Sequence, residues 1–129
     1  HPELAEVARL VAALRADLEP HLLKEERVLF PMIRELTSSP AAPQFHCGSL
    51  ANPIRVMGIE HDTAGDLLAQ LRRTTGDFAV PADGCASYRA LYGALSELEA
   101  DTHLHVHKEN NVLFPAVLAA ETARGAVPS

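Results

Sequence analysis

Apolar positions recur along this chain in alternating steps of three and four, the rhythm of a single helical face. In the first stretch the stripe runs Leu4, Val7, Val11, Leu14, Leu18, position 21, position 25, Val28 and Met32. In the second it runs Ile54, Met57, position 61, Ala64, Leu68 and Leu71. In the third it runs Tyr88, Leu91, Leu95, Leu98, Thr102, position 105, position 109, Val112 and Ala116. The spacing predicts three long helices: Pro2 to about Leu36, Asn52-Pro53 to about Thr75, and Cys85 to about Thr122. A mean step of about 3.5 residues is the seam of helices packed nearly antiparallel in a bundle. Pro20 and Pro31 each remove a backbone donor and are expected to kink or end the first helix, and Pro115 the third. The stretches 37–51 (TSSPAAPQFHCGSLA) and 76–84 (GDFAVPADG) read as loops. No run alternates apolar and polar residues in the manner of a strand. The expectation is one all-α, up-down domain over residues 1–129.

The positions given as bare numbers are polar: His21, Glu25, His61, His105 and Glu109. Two of the pairs belong to an internal repeat. HLLKEERVLFP (21–31) and HVHKENNVLFP (105–115) agree at seven of eleven positions, as HxxKExxVLFP. His and Glu at i and i+4 stack one turn apart on one helical face. Taken singly, His61 reads as a hydrogen-bonded core histidine and each HxxxE as a surface ion pair. Taken together, five polar residues interrupting three apolar seams at one level read as a metal site. Neutral imidazole nitrogens and carboxylates able to bridge two ions suit a non-haem iron pair, and zinc or manganese can use the same set. Burying two unpaired carboxylates would otherwise cost several kcal/mol each.

Position on the stripe separates the remaining candidates. His103 and His107 lie about 200° around the helix from His105 and are expected to face outward or towards a neighbouring surface. Thr102, one step above His105, is expected to border the site. Glu60 or Asp62 is a candidate to hold the imidazole of His61 in place. Leu29-Phe30 and Leu113-Phe114 are expected to close the apolar end of the bundle.

Composition narrows the function further. The 129 residues are 47% apolar and 22% charged, the balance of a globular domain. Eleven Lys and Arg against seventeen Asp and Glu leave a net charge of −6, which disfavours nucleic acid and anionic membrane surfaces as partners. No apolar run reaches the roughly 18 residues of a membrane span. Cys47 and Cys85 have no CxxC spacing, and a reducing cytoplasm is the expected compartment. There is no phosphate-binding glycine loop and no GxSxG, so no catalytic motif stands beside the metal site. The chain opens His1-Pro2 without an initiator Met, the mark of a trimmed or processed chain.

HLLKEERVLFPMI, PIRVMGIEHDTAGDLL and HVHKENNVLFP together resemble the hemerythrin-like domain of the iron-sulfur cluster repair di-iron proteins, the RIC family, over about Leu14 to Ala119. The resemblance implies a four-helix bundle holding an oxo- or hydroxo-bridged iron pair on His21, Glu25, His61, His105 and Glu109. It further implies transient action on iron-sulfur proteins damaged by nitric oxide or peroxide, as part of a stress response in a bacterial cytoplasm. A reversible O2 or NO carrier or sensor, or a redox enzyme acting on NO or peroxide, would share this fold and these ligands. Family members carry a further helix before the point where this chain starts, with one or two more histidine ligands. Without that helix the three seams are expected to leave a groove exposing Leu14, Leu68 and Leu95, and a second copy of the chain, as a homodimer, is expected to cover it.

Overall fold

The computed structural model describes residues 1–39, 45 and 48–124. His46 and Cys47, in the first predicted loop, lie outside the described residues, as does the end of the tail. Helix α1 spans Glu3–Lys24 and continues through a single π-helical turn, Glu25–Leu29, into α2, Phe30–Ser38. Helix α3 spans Ala51–Thr74. Helix α4 spans Ala86–Lys108 and continues through a second π turn, Glu109–Leu113, into α5, Phe114–Ala123. The described residues thus form three long helical rods, two of them interrupted at matching places in the repeat.

None of the three prolines ends its helix. Pro20 lies within α1 without ending it; it is exposed, as is Ala16, whose carbonyl water can therefore satisfy. Pro31 and Pro115 do not end their helices either. Each follows a π turn, in which the Phe30 amide donates to the Glu25 carbonyl and the Phe114 amide to the Glu109 carbonyl, five residues back. A proline ring collides with the carbonyl four residues before it. The wider turn moves that carbonyl away, so each rod carries on past its proline.

A π turn adds one residue to the helical repeat, and it turns the face that follows. The expected seam positions Val28 and Val112 are 52% and 63% exposed. Ala116 is exposed as well, and Met32 is only half-buried. Leu29 and Leu36 are buried in the first rod, and Phe114 and Val117 in the third. The second rod has no π turn, and its stripe holds: Met57, His61, Ala64, Leu68 and Leu71 are all buried. In α4, Tyr92 rather than Leu91 faces inward.

The core divides in two. One cluster joins Leu10 and Leu14 of α1, Leu68 and Leu71 of α3, and Tyr88, Tyr92 and Leu95 of α4. The other joins Leu29, Leu36, Leu50, Met57, Phe114 and Val117. The groove expected along Leu14, Leu68 and Leu95 does not exist at that level, because these side chains are buried in one cluster with the rings of Tyr88 and Tyr92. Two polar clamps tie the ends. Arg72 of α3 donates Nη2 to Glu99 of α4 at 2.5 Å and Nε at 3.0 Å. At the opposite end the buried carboxylate of Glu121 accepts from the Ser49 hydroxyl at 2.6 Å and the Leu50 amide at 2.8 Å, at the mouth of α3.

The change of register has a direct test. Leu29→Ala should cost about 2–5 kcal/mol by leaving a core cavity, whereas Val28→Ala should stay within about 0.5 kcal/mol. Urea denaturation of the two variants measures the difference. Equal losses would mean an uninterrupted α-helical register.

Candidate metal centre

Between the two apolar clusters lies one polar layer, to which all three rods contribute. His21, at the end of α1, and Glu25, at the start of the first π turn, are buried. His61 from the middle of α3 and Glu109 at the start of the second π turn are buried too. His105 at the end of α4 completes the set with its side chain 38% exposed. One ligand atom from each of the five lies within 4.8 Å of every other. The structure therefore brings together all five stripe residues.

The contacts cross between rods. Glu25 turns Oε1 to His21 Nε2 at 2.7 Å and Oε2 to His105 Nε2 at 3.3 Å. Glu109 Oε1 lies 2.8 Å from His61 Nε2 and 3.1 Å from His105 Nε2. Each carboxylate thus spans two histidines. The far nitrogens of two rings are held from behind. His21 Nδ1 donates to Glu60 Oε1 at 2.8 Å, and His61 Nδ1 to Asn110 Oδ1 at 2.9 Å. With Nδ1 carrying the proton, Nε2 presents a bare lone pair to the layer. His61 also lies parallel to Phe114, ring centres 6.1 Å apart.

This arrangement leaves a specific deficit. With the rings neutral and both carboxylates ionised, Nε2 of His21, His61 and His105, Oε1 of Glu25 and both oxygens of Glu109 are buried with no hydrogen-bond donor facing them. Lone pairs set against lone pairs at 2.7–3.3 Å repel one another unless a proton or a cation sits among them. The donor set, three imidazole nitrogens and two carboxylates, matches what a transition-metal pair requires. The residues present fit such a group.

The same crowding shifts the proton affinities of the layer in opposite directions. Burial disfavours a charge on His21, yet the carboxylates of Glu25 and Glu60 outweigh it and its pKa stands above the usual histidine value. Burial likewise opposes ionisation of Glu25, but hydrogen bonding to His21 and Glu109 and the nearby His105 bring its pKa below the ordinary carboxylate value. Glu109 shifts the other way. Burial raises its pKa and the neighbouring Glu25 carboxylate adds to this, against the pull of His61, so Glu109 is the carboxylate that takes up a proton first.

Sequence reasoning found the five convergent residues but missed their supports. Glu60 precedes His61 in the chain yet holds His21, because adjacent helical positions point about 100° apart and Glu60 faces α1. Lys24 pairs with the same carboxylate. Asp62 is exposed, and His61 rests on Asn110 instead. The available signal was the difference between the repeats: KEER in the first rod, KENN in the third. Thr102 does border the layer. It lines a cavity of about 180 Å³ with Leu18, Leu22, Leu98 and Val106, which opens from His21, His61 and His105 to solvent. His103 and His107 are exposed, as expected.

A helical bundle with a buried His/Glu layer defines a metal-binding class, and the chain belongs to the Hemerythrin HHE cation binding domain family, whose pattern matches residues 1–117. No helix among the described residues is long and apolar enough to cross a membrane. Over 115 residues the chain is 42% identical to the iron-sulfur cluster repair protein YtfE of Cronobacter sakazakii, 41% to that of an Enterobacter species and 38% to that of Citrobacter koseri. Each alignment covers 89% of this chain and 48% of the relative. The chain thus spans about half the length of the curated relatives it matches.

The proton balance makes a prediction for the metal-free chain. A histidine whose folded pKa is raised stabilises the fold below its ordinary pKa, and that contribution is lost as pH rises through the raised value. Glu60→Gln removes one of the carboxylates responsible. The His21 pKa, followed by NMR of the imidazole protons, should fall towards the ordinary histidine value, and the loss of stability on the alkaline side should shrink. An unchanged His21 titration would mean that Glu60 does not act on the ring.

Proposed function

We propose that this chain is a di-iron module that repairs iron-sulfur clusters damaged by nitric oxide or oxidative stress, or supplies them with iron. The observation that carries the reading is the buried layer of three imidazoles and two carboxylates whose lone pairs have no donor. The names of the relatives favour repair over other uses of such a centre. His21, His61 and His105 would ligate through Nε2, and Glu25 and Glu109 would bridge, each already spanning two histidines. Iron is the metal of choice for this set, with zinc and manganese as substitutes. When bound, iron supplies one-electron chemistry and transferable metal.

The protein's own groups have distinct tasks. Glu60 and Asn110 fix the orientation of two rings. The apolar clusters on either side exclude bulk water. The cavity beside Thr102 gives small molecules access, and His105 stands between the layer and solvent. That cavity also favours a second reading, a module that binds O2 or NO, because a small space with apolar walls admits a neutral diatomic. Damaged iron-sulfur proteins would be the transient partners, and the cytoplasm the compartment.

Iron-loaded protein added to an iron-sulfur enzyme inactivated by nitric oxide should restore its activity. Glu25→Ala and Glu109→Ala should each lose tightly bound iron, measured by metal analysis, and lose the restoration with it. A stable oxygenated spectrum without restoration would instead support the carrier. Full iron occupancy in both Ala variants would refute the ligand assignment.

The solvent opening beside His105 is where a further helix or a second chain would sit. For the 129-residue chain we expect a homodimer in which the mate covers this opening and Leu22 at its lip, which is 47% exposed. Light scattering should give twice the mass of one chain, and a monomer holding two tightly bound ions would overturn that arrangement.

A further inference from the structure

Helix α4 carries histidine at every second position, 103, 105 and 107. His105 turns into the polar layer, and its two neighbours are left over. His103 and His107, at i and i+4, share the same side of α4 and are both exposed. They are not idle on an open surface. Both line a second cavity, of about 270 Å³, walled on the α3 side by His61 and Gly65, with Thr102 and Asn111 of the third rod also in its lining. A side chain built at Gly65 would meet nothing within 4 Å, so the space before the two histidines is open. His61 and Thr102 line the cavity at the centre as well. The two spaces therefore meet at a common wall, one of whose members is a proposed ligand.

We propose that His103 and His107 form a second site for a divalent transition-metal ion, the outer station from which cations reach the buried centre past His61. Two histidines one turn apart on a helix form a recurrent chelating pair, the spacing used by zinc-binding HExxH helices. Imidazole suits iron, zinc, nickel and copper alike. Two protein ligands leave the remaining positions to water, so a cation here is held weakly and exchanges readily. The net charge of −6 raises the local concentration of cations around the molecule. The Asn111 amide donates to His107 Nδ1 at 3.1 Å, which leaves the ring proton on Nε2. When a cation takes Nε2, that proton passes through solvent to Nδ1, and Asn111 turns its amide oxygen to accept it. Delivery rests on the reading of the centre as an iron site; the chelating pair does not.

The test separates these two parts. Iron-loaded protein dialysed against Zn2+ should take up one additional, readily removed zinc ion per chain, and the double variant His103→Gln, His107→Gln should lose it while keeping its tight iron. The metal-free chain should show the same weak zinc ion, so a failure of the iron reading would leave the pair measurable. In stopped-flow loading of metal-free protein with Fe2+, the double variant should fill about tenfold more slowly and reach the same final iron content as the unaltered chain. Gly65→Leu, which keeps both histidines and fills the space between them and His61, should retain the weak zinc ion and load slowly. The chelating pair is overturned if the additional zinc persists in the double variant, or if that variant loses its tight iron. The route is overturned if either variant loads at the original rate.

Discussion

Everything in this molecule is arranged around the burial of two carboxylates that face each other's partners. Removing a carboxylate from water costs several kcal/mol unless charge is returned to it. Glu25 and Glu109 are both almost fully buried and stand together in one layer, with three imidazoles as their nearest polar company. The apolar clusters above and below make this burial unavoidable, and the supports behind the rings keep the lone pairs pointed inward. Without a cation among them, these lone pairs would oppose one another at 2.7–3.3 Å. Positive charge at the centre is what the rest of the structure calls for.

The three histidines are not equivalent. His21 is backed by a carboxylate, which raises the basicity of the ring, while His61 is backed by a neutral amide. His105 is the exposed member of the set. The layer thus runs from a closed, electron-rich side at His21 to an open side at His105, where the cavity reaches solvent. A small neutral molecule would reach the layer most easily from that open side.

Much of this was readable from residue spacing alone. The seam of α3 is legible to the residue, since an unbroken α-helix obeys its own period. All five convergent residues follow from polar breaks in apolar stripes, because the stripes match the buried faces around positions 21–25 and 102–109, although Tyr92 replaces Leu91 earlier in α4. Beyond those points the phase is lost. Nothing in the 3/4 alternation announces a π turn, and the prolines that accompany both turns read as helix ends. The supports were hidden for another reason: Glu60 and Asn110 act across helices, and the side on which a neighbour lies is decided by packing. Closure of the Leu14 end depends on Tyr88 and Tyr92, whose ring volume does the work expected of another helix.

The two π turns have a consequence for how such a chain can change over generations. Each is in effect a single inserted residue, and both sit at the same height in the bundle. Beyond them, Leu29 and Leu36 of one rod share a cluster with Phe114 and Val117 of the other, which works because both rods have been turned by the same amount. A deletion in one turn would rotate that rod's lower half by about 100° against its unaltered mate. Only a matching deletion in the second rod would bring the faces back together. The duplicated segment is therefore bound by a joint inheritance: its two copies can differ in side chains, as KEER and KENN do, but their lengths must change together or stay as they are.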